Sequence, residues 1–277
     1  MIFVNGVPGD SISVLDRGLC YGDGVFRTLP IRAGRVPLWE CHLATLARDC
    51  GLLRIAIPER ALLEADLRQA AVGVIDGTAK LIVTRGVGQR GYWPDPALAP
   101  TRIVQAAAGQ PYPESWRRDG VVLTSCQTRL SEQAQTAGAK TLNRLDNILA
   151  RSEWDDPGIF DGLMQAADGR WVEGTMSNLF LVSGGRLITP DLRRGGVAGM
   201  VRGLVLRDTL GLGCQVRDVD AGDIASADAL FVCNSLAGVL PVKRLDAREY
   251  RDFSVAYRVQ DELARIADSE PALILTP

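Results

Sequence analysis

"GAKTLNRLDNILAR", residues 138–151, carries Leu142, Leu145, Ile148 and Leu149 at helical spacing, the pattern of a helix with one apolar stripe. The spacing predicts a helix whose stripe faces a core, with Lys140 at its mouth after the flexible Gly138-Ala139 step. What flanks that helix decides the fold. "GVVLTS" (120–125) reads as a strand before it, and a strand-rich stretch follows, with hairpin turns at Asp168-Gly169 and Gly184-Gly185. Two further helices are expected near 200–210 and 253–267.

Toward the N-terminus, "GQPYPESWRRDG" (109–120) packs two prolines, two glycines and several charges into a short span, the composition of a linker. Ahead of it, "AKLIVTRG" (79–86) and "TRIVQAAA" (101–108) read as central strands. "LWECHLATLARDCG" (38–51) places Leu38, Leu43, Leu46 and Ala47 on a helical face and stops at Gly51, and a second helix starts at about Pro58. The opening "MIFVNGVPGDSISV" reads as a hairpin around Asn5-Gly6, a pair that tolerates positive φ. Strands run together in places and alternate with helices in others, so the expected class is α+β in two lobes rather than a doubly wound parallel sheet. The boundaries predicted are a small N-terminal lobe over 1–108, a linker over 109–120 and a larger lobe over 121–277 that carries Lys140.

The 277 residues are 47% hydrophobic and 23% charged, the balance of an ordinary globular protein with a sizeable core. Lysine and arginine total 31 against 33 acidic residues, a net charge of -2, which provides no broad positive field for nucleic acid or an anionic membrane. Small-molecule chemistry is expected instead. Cys20, Cys41, Cys50, Cys126, Cys214 and Cys233 are scattered without a C-x-x-C pair, so they read as reduced, mostly buried thiols, with no metal site expected. The first residues lack a basic segment followed by a long apolar one, and no stretch reaches the ~18 apolar residues of a membrane span. A cytoplasmic location is the expectation.

Lys140 is a solvated surface charge or a nucleophile. A lysine serves as nucleophile when burial or nearby positive charge keeps its amine partly neutral, and Arg144 stands four residues on. Such an amine needs a carbonyl partner, of which pyridoxal phosphate is the commonest. That cofactor requires an acid for its pyridine nitrogen, a cradle for its phosphate and a site for the substrate carboxylate. Glu173 in "WVEGTMSNLFLV" (171–182) is a candidate acid, or else an exposed turn glutamate. "GGVAGMVRGLV" (195–205) is a glycine-bearing loop entering an apolar helix, where the amides of Gly199, Met200 and Val201 can point at an anion. "RGVGQRGYW" (85–93) presents Arg85, Arg90 and Tyr92 as donors for a carboxylate, or as a plain solvated turn.

Six blocks in order, "DRGLCYGDGVFRTL" (16–29), "TRGVGQRGY" (84–92), "GAKTLNRLDNILAR" (138–151), "EGTMSNLFLV" (173–182), "GVAGMVRGLV" (196–205) and "VCNSLAGVLPV" (232–242), resemble those of the fold-type IV pyridoxal phosphate enzymes. The resemblance covers nearly the whole chain. It implies the two-lobed architecture of that family, with a small N-terminal α/β lobe, a larger barrel-like α/β lobe, and a homodimer. Among the family's branches, the "K-x-L-N-R-L" run at Lys140, "RGxGxRGY" and "CNSL" look most like the lyases that split 4-amino-4-deoxychorismate into 4-aminobenzoate and pyruvate for folate synthesis. The alternatives are an aminotransferase of D-amino acids or branched-chain amino acids, and a non-catalytic member with impaired cofactor binding.

Carried over by position, the resemblance makes Lys140 the lysine that bonds to the cofactor aldehyde and Glu173 the partner of the pyridine nitrogen. Met200 and Val201 become backbone donors to the phosphate and Ser235 a hydroxyl donor to it. Arg90, Tyr92 and Arg144 fall to substrate binding, and Thr28 to a catalytic position facing the cleft. One departure stands out: the family reads H-x-x-R-L, with its arginine on the phosphate, whereas this chain reads His42-Leu43-Ala44-Thr45-Leu46. Arg48, on the same helix face, is the expected substitute. His42, the only histidine, is expected to pack or bond locally rather than act as a base.

Overall fold

The computed structural model describes residues 1–109, 112–207, 211 and 213–275. Residues 110 and 111 of the expected linker, residues 208–210 of the helix expected near 200–210, and residues 212, 276 and 277 lie outside the described residues. The chain divides into two α+β units. One comprises Met1–Pro111, Ala139–Asn143 and Ala267–Pro277, the other Tyr112–Gly138 and Arg144–Ile266.

The first unit opens with β1 (Ile2–Val4) and β2 (Val7–Pro8), joined through Asn5 and Gly6 at φ 50° and 81°, the two positive-φ positions that a tight hairpin turn requires. There follow α1 (Arg17–Tyr21), β3 (Gly24–Ile31), β4 (Arg35–Val36), α2 (Trp39–Leu53), α3 (Arg60–Ala70), β5 (Gly77–Thr84) and β6 (Thr101–Ala108). The sheet order is β2-β1-β6-β5-β3 and every pairing in it is antiparallel. Val25, Leu29 and Ile31 alternate along β3 and pack with Leu81, Val83 and Val104 against Trp39 and Leu46 of α2 and Leu63 and Leu67 of α3. Strand periodicity and helix periodicity thus meet in one core.

Residues 140–142 run along the outer edge of β3. Phe26 N–H donates to the Lys140 carbonyl at 3.0 Å and Leu142 N–H to the Gly24 carbonyl at 2.9 Å. This pairing groups the lysine with the first unit, so the boundary expected at 121–277 is corrected. The helix expected to open at Lys140 is also shorter: it spans only Leu145–Arg151, and Lys140 lies outside regular secondary structure ahead of it. Its apolar stripe does not face the core, since Leu145, Ile148 and Leu149 are 73%, 61% and 57% exposed and Ala150 is the buried residue. Helical spacing specifies that side chains share a face, not what covers that face.

In the second unit, α4 (Ser115–Asp119) is followed by β7 (Val121–Leu130), the helix α5 (Leu145–Arg151), β8 (Ile159–Ala166), β9 (Trp171–Gly174), β10 (Asn178–Ser183), β11 (Arg186–Pro190) and α6 (Met200–Val205). Then come β12 (Cys214–Arg217), α7 (Ala221–Ser226), β13 (Ala229–Asn234), β14 (Gly238–Leu245), β15 (Arg248–Glu249) and α8 (Ser254–Ser269), while the last strand, β16 (Leu273–Ile274), belongs to the first unit and pairs there with β4. The large sheet runs β12-β11-β10-β13-β14-β7-β8-β9, with β15 beside β14. It curls on itself: Trp171 N–H at one end donates to the Val219 carbonyl beyond β12 at 2.9 Å, giving the barrel-like form expected. Phe180 and Phe231 stack in its core with ring centroids 4.8 Å apart.

The hairpin turns expected at Gly169 and at Gly184-Gly185 are present, with φ of 86°, 55° and 76°. Part of the expected linker is packed structure instead: Trp116 of α4 stacks on Tyr112 at 5.8 Å and meets the edge of Phe160 at 5.4 Å. Aromatic burial outweighs the turn-forming prolines and glycines there. Four of the six cysteines, Cys41, Cys50, Cys126 and Cys233, are buried. Among the described residues, no helix is long and apolar enough to cross a membrane.

Candidate active site

In the first unit, the backbone of Lys140 is clamped on both sides. Its carbonyl accepts from β3, and its N–H donates to Asp49 Oδ2 of α2 at 2.9 Å. The Nζ atom lies 4.7 Å from the centroid of the Phe26 ring, within cation–π range. Thr28 alternates with Phe26 on the same face of β3, opposite Lys80. The strand therefore carries Phe26, under the Lys140 amine, and Thr28 on one face.

Asp49 is fully buried and gathers two guanidiniums. Arg48 Nε and Nη2 reach its Oδ1 at 2.9 and 2.7 Å, while Arg27 Nη2 of β3 donates to its Oδ2 and to the Thr45 carbonyl, the latter at 3.3 Å. Burial and then the Arg48 charge pull the Arg27 guanidinium down to about 9, so it stays protonated at neutral pH. His42 is buried beside this cluster. Burial and the Arg27 charge push its imidazole down to about 3, which leaves it neutral and suits the packing function expected of it.

The donors expected on the turn after β5 fare unequally. Arg85 is buried and bound to Asp23 through Nε and Nη2 at 2.7 and 3.0 Å and to the Leu53 and Arg54 carbonyls, so it braces the loop instead of awaiting a ligand. Arg90 and Tyr92 are exposed, and the Tyr92 ring stands 5.5 Å from that of Tyr21.

In the second unit, Glu173 is not an exposed turn residue. It lies near the end of β9 with 3% of its surface accessible, and its Oε2 accepts from Val197 N–H at 2.9 Å and from Asn178 Nδ2 at 3.1 Å. Gly196, at φ 87°, passes so close that a Cβ there would lie 3.2 Å from the Glu173 carboxyl carbon. Asn178 also donates to the Val197 carbonyl at 2.7 Å and accepts from Gly199 N–H at 3.1 Å, so one amide joins the carboxylate to the start of α6. Gly199 is the N-cap of α6, and no side chain caps that helix. The first-turn amides, those of Met200 and Val201, belong to an uncapped helix start. A Cβ at Gly199 would fall 2.4 Å from Asn178 Oδ1.

Ser235 is half-buried on the turn between β13 and β14, a turn shaped by Asn234 Oδ1, which accepts from the Leu236 and Ala237 N–H groups at 3.0 and 2.8 Å. Arg144 is half-buried ahead of α5, where burial lowers its guanidinium against the opposing charges of Glu173 and Asp146. Asp161, fully buried, accepts from Thr175 N–H and Oγ1 at 3.0 and 2.6 Å and from Ser177 Oγ at 2.6 Å. That carboxylate folds the turn between Glu173 and Asn178. Among the described residues, no group of three or more His, Cys, Asp or Glu side chains is arranged to hold a metal ion.

Asn178, Asp161 and Asp49 escape a reading of the sequence, because each acts through partners distant along the chain. Arg27 does leave a signal: it shares the parity of Val25, Leu29 and Ile31, so strand alternation alone places an arginine on a core face.

The chain belongs to the amino-transferase class IV family, whose model matches residues 24–245. Within it, the chain is 34% identical over 263 residues to an aminodeoxychorismate lyase of Vibrio harveyi, covering 92% of this chain and 95% of that one. It superposes on the crystal structure of 4-amino-4-deoxychorismate lyase from Pseudomonas aeruginosa with a TM-score of 0.90 and 46% identity, covering 96% of this chain and 98% of that one. A branched-chain amino acid aminotransferase from T.th., solved with pyridoxamine 5'-phosphate, superposes with a TM-score of 0.82 and 25% identity, covering 98% and 95%.

Proposed function

We propose that this chain is a pyridoxal-phosphate-dependent lyase that converts 4-amino-4-deoxychorismate to 4-aminobenzoate and pyruvate. The observation that carries the reading is Glu173, a buried carboxylate tied by Asn178 to an uncapped helix start. The residues present fit the cofactor. Glu173 suits a protonated ring nitrogen, the amides of Met200 and Val201 with Ser235 Oγ suit a phosphate, and the Lys140 amine lies against an aromatic ring. The similarity to the lyases of Vibrio harveyi and Pseudomonas aeruginosa favours this chemistry over an aminotransferase.

Bound there, pyridoxal phosphate would supply an electron-withdrawing ring in conjugation with the substrate nitrogen. Lys140 Nζ, as a neutral amine, takes the proton from the substrate carbon that bears nitrogen. Glu173 would lie beside the ring nitrogen, where a carboxylate holds a proton. Arg90, Tyr92 and Arg144 are donors for the two substrate carboxylates, and Thr28 Oγ1 orients the substrate from β3. As the ether bond to the enolpyruvyl group breaks, the six-membered ring becomes aromatic. The proton on Lys140 Nζ can then be delivered to the departing methylene carbon, which completes pyruvate.

The product would feed folate synthesis, and the place of action proposed is the cytoplasm. The protein acts as a homodimer, a reading supported by the exposed Leu145, Ile148 and Leu149 on α5. Incubation with 4-amino-4-deoxychorismate is expected to release 4-aminobenzoate and pyruvate in equal amounts. Glutamate formed from D-alanine or leucine with 2-oxoglutarate, without 4-aminobenzoate from the first substrate, would make the chain an aminotransferase. Protein that stays colourless with pyridoxal phosphate would make it a non-catalytic member.

A further inference from the structure

Thr45 stands where the family resemblance places a phosphate-binding arginine, and its hydroxyl is engaged elsewhere: Oγ1 donates to the Cys41 carbonyl at 2.6 Å. Arg48, one turn further along α2, closes its guanidinium on Asp49 Oδ1. Arg27 reaches the same place from β3. Its Nη2 donates to the Thr45 carbonyl, which lays a guanidinium against the backbone of residue 45.

The guanidiniums of Arg27 and Arg48 both bond to the one carboxylate of Asp49. Arg27 is 4% exposed, and its Nε has no hydrogen-bond partner among the described residues. Buried donors are rarely left incomplete, and those that are call for a ligand or a functional reason. The cluster also holds Lys140 directly, through the bond from its N–H to Asp49. A buried cation with unused donor capacity, fixed to the backbone of the reactive lysine, is suited to a phosphate monoester.

We propose that Arg27 is the cation that anchors the phosphate of pyridoxal phosphate in this chain, the guanidinium having moved from α2 to β3. The assignment rests on the cofactor reading above and replaces Arg48, the substitute expected from the sequence.

The test compares binding of pyridoxal 5'-phosphate with that of pyridoxal, which lacks the phosphate, by absorbance titration of the apoprotein. Arg27→Met is expected to weaken binding of the phosphate ester about tenfold to a hundredfold and that of pyridoxal by less than about threefold, the loss of one charge-assisted contact. Arg48→Met is expected to move both by less than about threefold. Arg27→Lys, which keeps a charge in the cluster, should lose a smaller part of the phosphate preference, and the exchange Arg27→Thr with Thr45→Arg should recover most of it. A parent chain that fails to bind pyridoxal phosphate refutes the cofactor reading itself. A parent that binds it overturns the Arg27 assignment under any of three results: Arg27→Met weakens both ligands equally; Arg48→Met gives the larger phosphate-specific loss; or, if Arg27→Met does not fold, Arg27→Lys keeps the full preference.

Discussion

At the scale of single residues, Glu173 is a buried carboxyl held by hydrogen bonds at one of its oxygens. Val197 N–H and Asn178 Nδ2 both donate to Oε2, which fixes the carboxyl in one orientation for the ring nitrogen of the proposed cofactor. Glu173→Gln preserves the shape and can still accept from Val197, so the fold should survive while the charge is lost. Turnover is expected to fall by about a hundredfold or more, with the melting temperature nearly unchanged. A variant within a few-fold of the parent in turnover would remove Glu173 from its proposed place beside the ring. Asn178 is the residue through which such a change would spread, because the same side chain also accepts from the N-cap of α6.

At the scale of elements, the loop that carries Arg90 and Tyr92 is secured by a buried knot. Asp23, between α1 and β3, accepts from Arg85 and from Arg17 Nε at 2.9 Å, and Arg17 also donates to the Gly91 and Tyr92 carbonyls at 2.8 and 3.2 Å. Burial alone would raise the Asp23 carboxyl, but the hydrogen bonds and charges of Arg85 and Arg17 outweigh it and hold the carboxyl below its ordinary value. A carboxyl lowered in the folded state adds stability above its unfolded pKa, near 4, and that stability is lost as pH falls through the folded value. Thermal melts should therefore show Asp23→Asn below the parent at pH 7, with the gap closing in acid below about pH 4. A gap independent of pH would mean that the charge of Asp23 is not what holds the loop. The elements themselves were largely legible: α2, β5, β6 and the hairpin turns at Gly169 and Gly184 announce themselves by alternation, helical spacing or glycine. The placement of Lys140 and the buried state of Glu173 were not, because one follows from pairing with a strand far back in the chain and the other from glycine approaches and an amide contributed by later segments. Arg85, which reads as a ligand donor, differs from Arg90 only in what folds over it.

At the scale of the whole molecule, α5 presents Leu145, Ile148 and Leu149 to solvent on one helical face, apolar surface of the kind that association buries. If the proposed dimer forms through α5, Ile148→Asp is expected to convert it into a monomer over micromolar concentrations in sedimentation equilibrium, and parent and variant sedimenting alike would exclude α5 from the contact. The antiparallel bridge between Val25 and Thr141 joins residues more than a hundred positions apart, and contacts of such range form slowly because a long loop must close first. On a ribosome, β3 would emerge long before the segment that completes its edge. A chain truncated before this return holds a β3 edge and lacks Lys140, so under the function proposed above the colour of bound cofactor would report that distant parts of the polypeptide have met.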